Sequence, residues 1–142
     1  MSHPLHDYIG YRIIQIQKAH RNRAETAFNN LGLYTGQEML LYQLWKQEGL
    51  TQSELVEILC VDPSTVTKTL QRLEQAALVE RRQDAEDARV SRVYLTPKGR
   101  ALQAPVQKIW DDLETLTVQG LSEVEKALMR RLLEQIQDNV SR

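Results

Sequence analysis

The stretch from Val61 to Gly99, VDPSTVTKTLQRLEQAALVERRQDAEDARVSRVYLTPKG, constrains the fold of this chain more than any other segment. Asp62 is a helix-capping residue type and the fixed φ of Pro63 suits the first helical position. A helix therefore starts here, with Ser64, Thr65, Thr67 and Lys68 on its first exposed turns. Val66, Leu70 and Leu73 follow at spacings of four and three, the stripe by which a helix packs on a core. One face packs and the other stays polar. The preceding segment opens at Thr51 with Glu54 three positions on, a capping-box pattern, and directs Leu55, Ile58 and Leu59 inward. Only Cys60 and Val61 separate the two helices.

Beyond the second helix the period shortens. Leu78 to Arg82 and Val90 to Leu95 read as strands, because Val93 and Leu95 alternate with Arg92 and Tyr94 and the tip between them is turn-like. Arg81, Arg82, Arg89, Arg92, Lys98 and Arg100 gather around this hairpin against Asp84, Glu86 and Asp87, six cations against three carboxylates. Two short helices joined this tightly form a helix-turn-helix, whose second member lies in the major groove of DNA. A basic hairpin beside it suits phosphate contact and minor-groove insertion. The hydroxyls of Ser64, Thr65 and Thr67 can donate or accept toward bases and phosphates, and Lys68 can reach guanine acceptors or a phosphate oxygen. Arg72 on the same helix and Arg82, Asp87, Arg89 and Arg92 on the hairpin complete the candidate contacts with double-stranded DNA.

The run Asp84, Ala85, Glu86, Asp87, Ala88, Arg89, followed by Leu95, Thr96 and Gly99, resembles the MarR/SlyA-type winged helix-turn-helix transcriptional regulators. Their wing commonly reads Asp-Pro-x-Asp-Arg-Arg, and the strand after it ends in Leu-Thr-x-x-Gly. The similarity extends over nearly the whole chain. It implies a mainly α fold: a winged helix-turn-helix with a short β-wing and a helical dimerisation region from both chain ends. In a single domain, residues 35–99 would form the DNA-binding unit and residues 1–34 and 100–142 the dimerisation region. The resemblance further implies that Arg89 enters the minor groove from the wing tip while Asp87 holds its backbone or guanidinium. Ala88 stands where the family commonly has arginine and Ala85 where it has proline, which implies weaker phosphate attraction and a less rigid tip.

Outside the reading unit the chain looks helical. A first helix is expected from about Pro4 to Asn30, with Ile9, Ile13, Ile16 and Ala27 among its inward residues and a stop at Leu31, Gly32 and Leu33. Thr35 with Glu38 reads as a capping box for a second helix through Met39, Leu41, Leu44 and Trp45, closing near Glu48 and Gly49. Thr96 and Pro97 open a fifth helix past Leu102, Val106, Ile109, Leu113 and Leu116, with Pro105 expected as a kink or local break. Gly120 stops it. Ser122 with Glu125 caps a sixth helix on which Leu121, Val124, Leu128, Leu132, Ile136 and Val140 recur at helical spacing. So regular a stripe on terminal helices with little core of their own points to a homodimer. Its two-fold axis would place two reading helices on half-sites about one DNA turn apart, on a pseudo-palindromic operator.

With 142 residues, 42% hydrophobic and 26% charged, the chain has apolar content enough for a core and is not of the disordered class. A net charge of −1 is low for a nucleic-acid binder, so distribution has to carry the reading. Asp111, Asp112, Glu114, Glu123, Glu125, Glu134 and Asp138 lie far from the hairpin in sequence and leave it locally basic. No apolar run nears the roughly 20 residues needed to span a bilayer, and Met1 to Gly10 lacks a basic start followed by an apolar block, so a cytoplasmic protein without membrane partners is expected. No phosphate loop, nucleophile elbow or paired-histidine zinc helix appears, which argues against an enzyme. His3, His6, His20 and Cys60 fit no compact zinc spacing, and neither metal nor cofactor is expected.

The resemblance also implies a small-molecule effector, an aromatic acid or phenol, that releases a repressor from DNA. Arg12, Ile16, His20, Leu44 and Trp110 are the candidate lining residues. His20, Arg21 and Arg23 can pair an effector carboxylate, and near a helix C-terminus they also complement the dipole. Cys60 admits two readings, a small hydrophobe filling the turn or a thiol switch for a redox regulator, and the first is favoured because no second cysteine exists to pair with it. The remaining alternative is a winged-helix protein-interaction module without specific DNA binding.

Overall fold

The computed structural model describes residues 4–142, so His3 lies outside it. A 3-10 turn at Pro4–Asp7 precedes α1 (Ile9–Asn29), and α2 (Gln37–Lys46), β1 (Leu50–Thr51), α3 (Gln52–Leu59) and α4 (Pro63–Gln75) follow. Then come β2 (Val79–Gln83), β3 (Ser91–Leu95), α5 (Pro97–Ala101), α6 (Gln103–Thr117) and α7 (Glu123–Val140). The chain divides into two units, one ending at Trp110 and one from Asp111 to Arg142.

The first unit holds the helix-turn-helix and a three-stranded antiparallel sheet in the order β1-β3-β2. Val79 pairs with Leu95 and Gln83 with Ser91 across the hairpin, while Leu50 pairs with Val93 on the other edge. The two-residue β1 is too short to show a period of two. It exists because β3 has a free edge that the chain passes on its way into α3. The core of this unit is a leucine cluster: Leu33, Leu40, Leu41, Leu44 and Leu55 meet Val66, Leu70 and Leu73 of α4 and Val93 of β3, all essentially inaccessible to water. Each such side chain contributes about 1.5 to 3 kcal/mol by leaving water, which fixes α4 through its inner stripe and leaves its outer face unused.

Caps set the ends of the helices, with some departures from the expected pattern. Thr51 Oγ1 accepts from Glu54 N at 3.1 Å and starts α3, the first half of the expected capping box, without the return bond from the Glu54 carboxylate. Asp62 occupies the cap position of α4 in extended backbone, with Pro63 inside, but its carboxylate makes no cap bond. The capping box at Thr35 does not form. Gly36, at φ 84°, takes the cap position of α2, and Thr35 is one residue too early, its hydroxyl donating instead to Glu25 Oε1 at 3.1 Å. Glu38 is then half-buried in the first turn, where burial pushes its carboxyl above the usual range.

The break expected at Pro105 falls at Leu102, between α5 and α6. This places Pro105 third in α6, within the first turn, where a missing N–H costs no intrahelical bond. In α1 the inward residues are Ala24 and Phe28; of the residues expected inward, Ile13 and Ala27 are half-buried, whereas Ile9 and Ile16 are exposed. Ile58 is likewise exposed, because α3 is buried through Leu55. The unit from Asp111 contains the end of α6 and α7, whose start is a complete Ser122–Glu125 capping box; Gly120, at φ 86°, ends the chain's approach to it. No residue of α7 is buried.

Candidate nucleic-acid interface

Two surfaces flank the helix-turn-helix. On α4, Val66, Leu70 and Leu73 define the inner side, and a 100° turn per residue puts Ser64, Lys68, Gln71 and Gln75 nearly opposite them, with Arg72 beside. All five are exposed. Lys68 and Arg72 make no ion pair among the described residues, so their charge faces solvent. Gln71 was not among the residues picked from sequence, although its spacing of seven from Ser64 and three from Lys68 signals the same face. Thr65 is exposed and its carbonyl accepts from Thr69 Oγ1 at 2.8 Å. Thr67 is half-buried at the flank: its hydroxyl donates to Pro63 O at 2.9 Å and accepts from Gln52 Nε2.

The hairpin tip is organised by two aspartates. Asp84 Oδ2 accepts from the backbone N–H groups of Glu86 at 3.1 Å and Asp87 at 3.0 Å, while its Oδ1 accepts from Arg92 Nε at 2.7 Å. The Arg92 guanidinium, followed by these N–H groups, holds the Asp84 carboxyl below the usual aspartate range. Asp87 accepts from both the side chain of Arg89, at 3.0 and 3.1 Å, and its backbone N–H, and is lowered in the same way. The Arg89 side chain is 91% exposed. It is therefore aimed and charged but not sequestered.

The other hairpin arginines brace the structure. Arg82 and Arg92 lie directly opposite each other across the strands, a repulsive placement unless each finds a carboxylate. Arg82 pairs with Glu80 and lies 4.3 Å over the ring of Tyr94; Arg92 pairs with Asp84 and donates to Gly49 O at 2.9 Å. Arg81 pairs with Glu74 and Arg100 with Glu48. The local excess of positive charge is thus offset by Glu80, already on β2, and by Glu48 and Glu74, which folding brings to the hairpin.

The effector residues expected from sequence are not gathered in one pocket. Arg12 and Ile16 are exposed on α1, Leu44 is in the core, and His20 is half-buried with its ring 6.2 Å from that of Trp110. A cavity of about 400 Å³ instead lies between α2 and the start of α6, lined by Met39, Tyr42, Trp45, Lys46, Gln103, Val106, Gln107 and Trp110, so that Trp110 alone belongs to both sets. Cys60 does not fill its turn: it is exposed, at φ 54°, in the left-handed residue that closes α3. Among the described residues, no helix is long and apolar enough to cross a membrane.

A helix-turn-helix followed by a β-hairpin, with a polar outer helix face and an exposed arginine at the hairpin tip, defines a winged-helix protein of the nucleic-acid-reading class. A sequence model of the MarR family matches residues 33–91. The uncharacterized HTH-type transcriptional regulator YwoH of Bacillus subtilis is 40% identical over 96 residues, covering 65% of this chain and 69% of YwoH. The HTH-type transcriptional repressor Rv2887 of Mycobacterium tuberculosis is 25% identical over 128 residues, 90% of this chain and 92% of that one. The fold matches that of S. aureus MepR in its complex with DNA at a TM-score of 0.85 and 28% identity, over 93% of this chain and 98% of MepR. The chain belongs to the MarR family of transcriptional regulators.

Proposed function

We propose that the protein is a sequence-specific double-stranded DNA-binding transcriptional regulator, acting as a homodimeric repressor on a pseudo-palindromic operator. The observation that carries this reading is the tip of the hairpin, where Arg89 is 91% exposed yet held by both oxygens of Asp87. A guanidinium fixed in this way loses little freedom on entering a minor groove, and nothing in the packing of the unit requires it to stand there. Lys68, Gln71 and Arg72 supply the complementary major-groove face, with the Gln71 amide able to pair bidentately with adenine. That MepR has the same fold in a DNA complex, and that Rv2887 is a repressor, support the assignment.

The dimer is supported by apolar surface left open on the terminal helices. On α7, Val124 and Val140 are each 78% exposed, with Leu128, Met129, Leu132 and Leu133 also uncovered; on α1, Ile9 and Ile16 are open. A second copy is the natural cover, with residues 1–34 and 100–142 as the dimerisation region and residues 35–99 as the DNA-binding unit. The cavity between α2 and α6 is the better effector site than the α1 residues, since its walls of Met39, Tyr42, Trp45 and Trp110 suit a flat aromatic molecule and Lys46 suits an acid. The protein would work in the cytoplasm, where its operator is.

The test is an electrophoretic mobility shift with the intergenic DNA upstream of the gene, at two salt concentrations, comparing wild type with Arg89→Ala. A saturable, salt-sensitive shift weakened by about 1 to 3 kcal/mol in the variant is expected. No specific shift by the wild type, or an unaltered one in the variant, would refute the wing-dependent reading.

A further inference from the structure

We infer that Gln52, the first residue of α3, is a positioning residue for DNA recognition: it ties the recognition helix to the wing hairpin by holding Thr67 with one end of its amide and Arg81 with the other. The inference rests on α4 and the hairpin being the DNA-binding surfaces. Gln52 Nε2 donates to Thr67 Oγ1, and Gln52 Oε1 accepts from Arg81 Nη1 at 3.2 Å. Arg81 Nε continues the chain to Glu74 Oε1 at 2.7 Å, back on α4. The loop of contacts therefore runs from α3 to α4, from α3 to β2, and from β2 to α4, closing a triangle around one side chain.

Chemistry fixes the direction of every bond in this triangle. A guanidinium only donates, so the amide oxygen must face Arg81 and the amide nitrogen must face Thr67. The single hydroxyl hydrogen of Thr67 is committed to Pro63 O at 2.9 Å, so Thr67 must accept from Gln52. Thr67 accordingly offers DNA no hydroxyl donor, only its remaining lone pair and its methyl group, and its place on the flank of α4 is set by a residue outside the helix. Arg81 is set likewise: Glu74 and Gln52 hold its guanidinium between α4 and the start of α3. Helix and hairpin, the two parts that must meet successive grooves together, are thereby kept in one register.

The test uses the full-length protein and fluorescence anisotropy with operator DNA and with unrelated DNA of equal length. Gln52→Met keeps the length and packing of the side chain and removes both amide bonds; Thr67→Val removes the hydroxyl at constant shape. Gln52→Met is expected to weaken operator binding about tenfold, the net effect of losing both amide bonds, with binding to unrelated DNA and the salt slope unchanged because no phosphate-facing charge is lost. The double variant Gln52→Met with Thr67→Val should lose less than the sum of the two single variants, since both remove the same Gln52–Thr67 bond.

Operator binding at wild-type strength in Gln52→Met, additive losses in the double variant, or equal losses on operator and unrelated DNA would each overturn the inference. So would losses that follow the fall in Tm across Gln52→Met and Gln52→Ala, which mark a merely structural side chain. Failure of the wild type to prefer its operator would instead remove the underlying reading, and Gln52 would lose its role with it.

Discussion

Replacing Gly99 with alanine sets two opposing effects against each other, and the structure decides between them. A Cβ at Gly99 would lie 2.1 Å from Leu78 O and 3.1 Å from Leu78 C, with a Leu95 methyl at 3.2 Å. The obstacle is backbone, and it is anchored: Leu78 O accepts from Thr96 N at 3.1 Å. Gly99 also cannot retreat freely, because its carbonyl accepts from Trp45 Nε1 at 3.0 Å and its N–H donates to Thr96 Oγ1 at 3.0 Å. Against this, alanine gains up to about 1 kcal/mol over glycine in helix propensity, less at a first-turn position such as this. Overpacking costs about 1 to 3 kcal/mol, toward the upper end when backbone must move, and stretching the Trp45 bond adds about 1 kcal/mol. Repulsion wins, and Gly99→Ala should destabilise the first unit by about 2 to 3 kcal/mol. In a chain of this length that corresponds to a Tm lowered by roughly 5 to 10 °C, read by circular dichroism with denaturant titration followed by tryptophan fluorescence. Stability within about 0.5 kcal/mol of wild type, or above it, would refute the close approach and show that propensity governs this position.

Lys68→Ala should weaken DNA binding across all sequences and lower the salt slope by about one if Lys68 meets a phosphate; an unchanged slope in binding isotherms at several salt concentrations would refute that role. The depressed Asp84 carboxyl makes the wing acid-sensitive. Because its pKa is lower in the folded than in the unfolded chain, its contribution is present at neutral pH and lost as pH falls through the native value, which lies below the ordinary aspartate range. The Arg92 Nε–H NMR signal, bonded to Asp84 Oδ1, should move as pH falls below that range and not do so in Asp84→Asn; identical titrations in both proteins would sink the assignment. Ending the chain after Gly120 should convert a dimer to a monomer by light scattering and abolish operator binding, whereas a full-length chain of monomeric mass at micromolar concentration would remove the dimer from the account.

What the sequence determined by itself was local. The start of α4 at Asp62–Pro63, its buried stripe, the hairpin with its Asp84 to Arg89 tip, the Thr51 and Ser122 caps and the stop at Gly120 each depend on residues a few positions apart, whose spacing encodes period, cap or turn. Local spacing misled where two close alternatives differed by one residue, as at Thr35 against Gly36, or where apolar residues at helical spacing stay exposed, as at Ile9, Ile16 and Ile58.

Tertiary structure alone decided which charges remain available. Arg81, Arg92 and Arg100 find Glu74, Asp84 and Glu48, and Gln52 meets Thr67 and Arg81, across separations of 7, 8, 52, 15 and 29 residues respectively. No periodicity records such pairs, because they follow from how the sheet edge and helices close on a shared leucine core. That closure separates Lys68 and Arg72, which make no ion pair among the described residues, from the arginines that hold the wing together, while Arg89 stays 91% exposed in its local pair with Asp87.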